Sequence, residues 1–392
     1  MEKRDELDRI SKRASDVRRV ASRAMTDIVA SLKAQGKDTL PLKGGPYWSP
    51  PEHVLVAAER ETRVMSAPPS QGLPELRRAI ANRMEVDDRL LIDPEHEILI
   101  TNGAQHALYI AFTTLLNPGD EVLMYSPGYF FYGALELVGA IPVYAETRQE
   151  NNWRWDVKAL EKKISPKTKM IVINSPANPT GYVATEDDLL SVAELARKHD
   201  LLVLSDECYD KLIYDGAHHI RFVSLPGVKD RAITICSFTK SYVMPHWRIG
   251  FIITPPKLAP YLRKVLEWNV LTCNPIGQRA AQAALEGPQD WIKEIAPRYQ
   301  RNRDLMVNGL KGAPGISFAV PKGAVFLFLN SAELGISGEE FSRTLMYEYG
   351  VPTEPGPLFG SDFHVRLMFG GDENVISEAA KRITGAAGKL AE

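Results

Sequence analysis

Lys240 stands in SFTKSYVMPHWRIG (237–250), among small, hydroxylic and apolar residues, with Arg248 eight positions on. The run continues AITICS (232–237), whose apolar pattern is that of a buried strand. A buried ammonium is costly unless it is paired or has given up its charge. Asp206 poses the same problem with the opposite sign. It sits at the end of LLVLSDE (201–207), where a carboxylate is partly desolvated and needs a cation. A cap or a structural ion pair would account for Asp206 alone, and a direct Lys240–Asp206 salt bridge would account for both. A second solution keeps the two apart. Lys240 then works as a neutral amine, able to act as nucleophile and base, while Asp206 holds a cationic ring nitrogen.

That second solution requires a bound group with an aldehyde and a basic ring nitrogen. ITNGAQ (100–105) joins a strand pattern to a helix pattern through a glycine turn. A helix N-terminus presents free N–H groups and the positive end of its dipole, which suits a phosphate, although most such turns are only turns. Aldehyde, pyridine nitrogen and phosphate together describe pyridoxal phosphate, whose enzymes combine a Schiff-base lysine with an acidic partner for the ring.

The elements that must position these residues alternate. EILIT (97–101), EVLMY (121–125), KMIVINS (169–175), LLVLSDE and AITICS read as strands. Helical patterns fall between them at 104–116, near 130–139, and at 185–199 behind the N-cap Thr185 with Asp188 three residues on. This alternation predicts an α/β fold, with a mostly parallel sheet of the seven-stranded type covered by helices on both faces. Ligands of such sheets bind beyond the carboxyl ends of the strands. ITNGAQ, SPANPTG (175–181), SDECY (205–209) and SFTK (237–240) all follow strands. After Gly250 the pattern shifts to helices near 257–270, 276–286 and 289–311. A smaller α+β set follows, with strands at 325–330 and 364–369 and a helix near 338–349. The expected division is an N-terminal segment, 1–45, joining a small domain; a large cofactor-binding domain, 46–290; and the small C-terminal domain, 291–392.

With 47 basic and 49 acidic residues among 392, the formal net charge is -2, and nothing in it calls for nucleic acid or an anionic membrane. The apolar runs are far short of a spanning helix. The N-terminal MEKRDELDRISKRASDVRRV is charged with both signs, unlike a secretory signal or transit peptide, and reads as a solvated helix leading into the fold. Cys208, Cys236 and Cys273 have neither metal-ligand spacing nor an even disulfide count, so the expected compartment is the cytoplasm.

Taken in order, NPTG, D-E-x-Y and S-x-x-K followed by W-R-I-G resemble the fold-type I, pyridoxal phosphate-dependent aminotransferases of class I/II, the aspartate aminotransferase-like superfamily. The resemblance runs from GGPYWSPPEHV (44–54) to HVRLMF (364–369). It implies that Lys240 forms the imine with the cofactor and later moves the substrate's α-proton. It implies that Asp206 pairs with the pyridinium, that Tyr209 and Asn178 donate to the ring's phenolic oxygen, and that Tyr129 stacks on the ring. Gly103, Ala104 and Gln105, with Ser237 and Arg248, would cradle the phosphate; a structural salt bridge is the other reading of Arg248. Arg366 would grip the substrate α-carboxylate with its bidentate fork. Gly44 would touch the same carboxylate through its backbone, with Asn178 and Trp48 beside the substrate. Phe130 and Phe131 are expected in plain core packing. The implied activity moves an amino group from an L-amino acid to a 2-oxo acid, in a homodimer whose active site lies at the interface. The segment 272–278 would reach the partner's cofactor.

Three positions depart from the family pattern. Ala67 replaces a tyrosine that reaches the neighbouring subunit's phosphate. His246 stands in a usual glycine place, either as a core or surface histidine or as an extra acid/base. Gln105 stands where many aspartate aminotransferases carry a lysine for a side-chain carboxylate, which argues against aspartate as substrate. Tyr47, Trp48, Tyr129 and Tyr132 hint at an apolar or aromatic amino acid. The alternative on the same fold is a lyase or cyclase performing β- or γ-elimination or replacement. A regulator carrying such a domain is disfavoured because the resemblance begins by about residue 40, leaving no room for a preceding winged-helix module. A nicotinamide dehydrogenase is disfavoured because no G-x-G-x-x-G follows a strand.

Overall fold

The computed structural model describes residues 9–42, 44–45 and 48–392. Seven apolar segments form its main sheet: β1 (Ile98–Thr101), β2 (Glu121–Ser126), β3 (Ile141–Glu146), β4 (Thr168–Asn174), β5 (Leu202–Asp206), β6 (Ala232–Ser237) and β7 (Gly250–Ile253). Their order is β1-β7-β6-β5-β4-β2-β3. β3, β2, β4, β5 and β6 run parallel, and β7 is inserted antiparallel between β6 and β1. Every residue of β1, β6 and β7 is buried, as expected where helices cover both faces. The α/β architecture read from the alternation is therefore correct. It lacked β3, which is largely solvent-facing rather than a buried apolar run, and β7, which has only four residues and begins at a glycine.

A second sheet of three antiparallel strands has the order β8-β10-β9. Its members are β8 (Phe326–Asn330), β9 (Thr353–Pro355) and β10 (His364–Met368). The helix Gly338–Tyr347 packs on β9 and β10, and the helix Glu373–Ala391 packs against that helix and against the helix Ile295–Leu310. From the other end of the chain, the helix Ala21–Ala34 packs against β9 and buries Met25 and Leu32 with Met346. Leu40 N–H donates to Gly350 O at 2.8 Å, tying the segment that follows to the same region.

Local signals set the helix ends. Thr185 caps the helix Glu186–Lys198: its hydroxyl accepts from Asp188 N–H, and the Asp188 carboxylate accepts from Thr185 N–H. The pattern at 289–311 is not one helix but two, Asp290–Lys293 and Ile295–Leu310, meeting at Glu294. Among the described residues, the charged N-terminus holds the short helix Lys12–Asp16, and an extended stretch then leads to Ala21. The first eight residues of that predicted helix lie outside the described residues.

Candidate active site

Strand ends assemble the site. β6 ends at Ser237, which caps a single helical turn, Phe238–Ser241, by accepting from Thr239 N–H at 3.1 Å. That turn carries Lys240 out of the sheet. Lys240 is partly buried; its ammonium faces a cavity and donates to Gly44 O. Removal from water lowers its pKa to about 8, and the nearby Arg366 and Arg248 charges add to the effect.

β5 delivers Asp206 to the same cavity. Its carboxylate accepts from Cys208 N–H at 3.1 Å and makes no ion pair among the described residues. Burial pushes its pKa up to about 6. Lys240 and Asp206 therefore share one chamber without pairing. The direct salt bridge is ruled out, and each keeps an unmet need of opposite sign.

Asn178 and Tyr209 line the same wall. Asn174, which the sequence reading passed over, ties the wall together: its carboxamide accepts from Asn178 N–H at 2.8 Å and donates to Asp206 O at 3.0 Å. Its type and its place at the end of β4 were the available signal. Tyr129 donates from its hydroxyl to Gln105 Oε1 at 3.2 Å and packs its ring against Phe130 and Phe131. Burial raises the pKa of both Tyr129 and Tyr209, so both phenols stay neutral donors.

A helix N-terminus and an arginine meet at the same cavity. The helix Ala104–Leu115 begins at Gly103, which offers no side-chain cap to the first N–H groups. The Arg248 guanidinium meets no carboxylate among the described residues; it donates to Pro245 O at 3.3 Å and to Thr239 Oγ1 at 3.5 Å. Two glycines allow this approach. A Cβ on Gly103 would lie 2.6 Å from Arg248 Nη2, and one on Gly250 would lie 3.1 Å from Gly103 Cα. Gly103 also has φ +80° and ψ 172°, a region open essentially to glycine. Gly103→Ala is expected to destabilise the fold by about 1–3 kcal/mol, measured by urea unfolding, and to push Arg248 from the helix end.

The cavity measures about 250 Å³ and is lined by Ala104, Gln105, Tyr129, Asn178, Asp206, Tyr209, Ser237, Lys240 and Arg248. Arg23, from the helix Ala21–Ala34, also lines it, and no local sequence signal could have placed that residue there. Arg366 lies just behind, donating from Nη1 to Asn178 Oδ1 at 2.6 Å. Gly44 sits between Lys240 and β10, where a Cβ would meet Met368 Sδ at 2.7 Å. Trp48 is placed elsewhere: its ring packs on Tyr299 at 5.6 Å, beneath the Arg298 guanidinium. Tyr132 packs beneath Arg18. His246 and Ala67 are exposed and do not line the cavity, and Tyr47 lies outside the described residues.

The sequence matches the family described as aminotransferase class I and II over residues 41–383. The chain belongs to this family. As a class I and II aminotransferase it is a pyridoxal phosphate-dependent enzyme acting on amino acids. It is 33% identical over 388 residues to the aspartate aminotransferase of Geobacillus stearothermophilus, covering 96% of this chain and 98% of that one. It is equally 33% identical to aromatic-amino-acid aminotransferase 2 of Thermococcus litoralis, covering 87% and 89%. Its fold superimposes on the Thermus thermophilus aspartate aminotransferase with maleate at a TM-score of 0.92, with 30% identity, over 96% and 99% of the two chains. The aminotransferase cofactor fits the residues present. Among the described residues, a buried carboxylate without a cation and an arginine without a carboxylate line one cavity and make no ion pair with each other.

Proposed function

We propose that the enzyme transfers the amino group of an apolar or aromatic L-amino acid to a 2-oxo acid, with Lys240 as the catalytic base. The observation that carries this reading is the separation of Lys240 from Asp206 within one cavity. Pyridoxal phosphate, when bound, supplies an aldehyde for the amino group and a ring that takes up the electron pair left at the substrate's Cα. Asp206 would hold the ring nitrogen, Asn178 and Tyr209 would donate to the phenolic oxygen, and Tyr129 would pack against the ring. The first N–H groups of the helix at Gly103–Gln105, with Ser237 and Arg248, hold the phosphate. Lys240, its pKa lowered from 10.5 to about 8, sheds its charge far more readily than an exposed lysine, and its neutral amine can take the proton at Cα and return it elsewhere. Arg366 and Gly44 are assigned to the α-carboxylate. Trp48 takes no part in this reading, because its ring is engaged with Tyr299. Gln105, where a lysine would hold a second carboxylate, supports the apolar assignment.

The reading includes a homodimer. Met65, Trp268 and Leu271 are 93%, 93% and 74% exposed, the last two just before the segment 272–278, and a partner subunit would cover them. The division into 1–45, 46–290 and 291–392 is part of this reading; the packing of the helix Ala21–Ala34 on β9 supports the N-terminal segment joining the small domain. A cytoplasmic location is supported by three buried, unpaired cysteines.

The test is the visible absorption of the purified protein, titrated with single L-amino acids and no oxo acid. The expected result is stoichiometric bleaching by an apolar or aromatic amino acid, one equivalent of 2-oxo acid, and a dimeric mass by light scattering. Multiple turnovers without an oxo acid would instead establish elimination, and a protein that takes up no cofactor would overturn the assignment of Lys240.

A further inference from the structure

β10 places Arg366 directly opposite Glu354 of β9 and Phe328 of β8, so the three residues form one row across the small sheet. Arg366 and Glu354 are 3% and 1% exposed. Arg366 donates from Nη2 to Glu354 Oε2 and from Nη1 to Asn178. Its guanidinium is walled by the rings of Phe326, Phe359 and Phe130, at 4.3, 4.5 and 5.6 Å. Yet the pair is incomplete at both ends: Arg366 Nε and Glu354 Oε1 are buried without a hydrogen-bond partner among the described residues. A buried pair built only for stability satisfies its remaining donors and acceptors, because each one left unmet is costly.

We propose that Glu354 is a specificity-determining residue, an internal carboxylate that competes with the ligand's carboxylate for Arg366. This role rests on the reading of Arg366 as the carboxylate site. An incoming carboxylate meets a neutral pair rather than a free cation. It must share the remaining guanidinium donors beside a like charge, or displace Glu354. Either way the α-carboxylate is held weakly, and the ligand must draw its affinity from its side chain and amino group. Substrates with a large apolar side chain satisfy that demand.

The test titrates the holoenzyme with 3-phenylpropionate, a monocarboxylate that lacks an amino group and cannot turn over. Binding is read from the visible band and by calorimetry. Glu354→Gln removes the competing charge and leaves Arg366 needing an anion, so the affinity is expected to rise about tenfold or more. Glu354→Asp, a shorter carboxylate, is expected to give a smaller rise. Arg366→Lys is expected to weaken binding at least tenfold. Unchanged or weaker binding in a folded, cofactor-loaded Glu354→Gln protein, with Arg366→Lys still impaired, overturns the role of Glu354 alone. Unchanged binding in Arg366→Lys overturns both that role and the carboxylate site itself.

Discussion

Replacing Lys240 with alanine is expected to lower amino-group transfer by about 10⁴-fold or more, because one side chain serves as both nucleophile and base. Lys240→Arg is expected to be as inactive. A guanidinium stays charged at any working pH and can neither attack a carbonyl nor accept the proton at Cα. Steady-state formation of 2-oxo acid measures the loss. The fold should not suffer with it. Lys240 is a base whose folded pKa, about 8, lies below its ordinary 10.5. Its burial therefore opposes folding fully below about pH 8, and that opposition fades as pH rises toward 10.5. At pH 7 the empty alanine variant should melt no lower than the parent. Retained turnover in Lys240→Ala would remove the lysine from the chemistry.

Asp206→Asn should separate stability from function in a way a structural ion pair could not. The Asp206 carboxyl has a pKa raised from 3.8 to about 6 by burial, with no cation to compensate. Below the unfolded value, folded and unfolded chains are both protonated and nothing is lost. As pH rises from about 4 to about 6, the unfolded chain ionises first and stability falls; above that the loss is complete. Two pKa units correspond to about 3 kcal/mol, an upper figure for the gain expected of the empty Asp206→Asn variant at pH 7.5. The gain should vanish near pH 4. The cofactor-loaded protein should respond in reverse. A neutral amide cannot pair with the ring nitrogen, so kcat/KM should fall by roughly 10²-fold, the worth of about 3 kcal/mol. Melting curves of empty and loaded protein at the two pH values test both signs. A variant less stable when empty would show that Asp206 has a structural cation partner after all.

Much of the site was legible in the sequence because its parts are local. Asn178, Asp206, Ser237 and Lys240 each follow an apolar strand at once, and the ends of adjacent parallel strands must converge. The Thr185 cap and the glycine turn before Ala104 are equally local, since each is settled within a few residues. Arg366 was named from its motif, but its partner was not. Glu354 lies on a three-residue strand that no periodicity can reveal, and only the register of β9 on β10 sets the two charges side by side. The same holds for Arg248, which reaches Gly103 because β7 enters antiparallel between β6 and β1. Arg23 reaches the cavity because its helix docks on β9. Trp48 shows the reverse, an aromatic near a site motif that packing turned toward Tyr299. Strand ends and caps are decided by short-range sterics and hydrogen bonds, so the sequence alone determined them. Which distant charges meet depends on strand order and register, which follow from burying whole apolar faces together, and only the tertiary structure decided that.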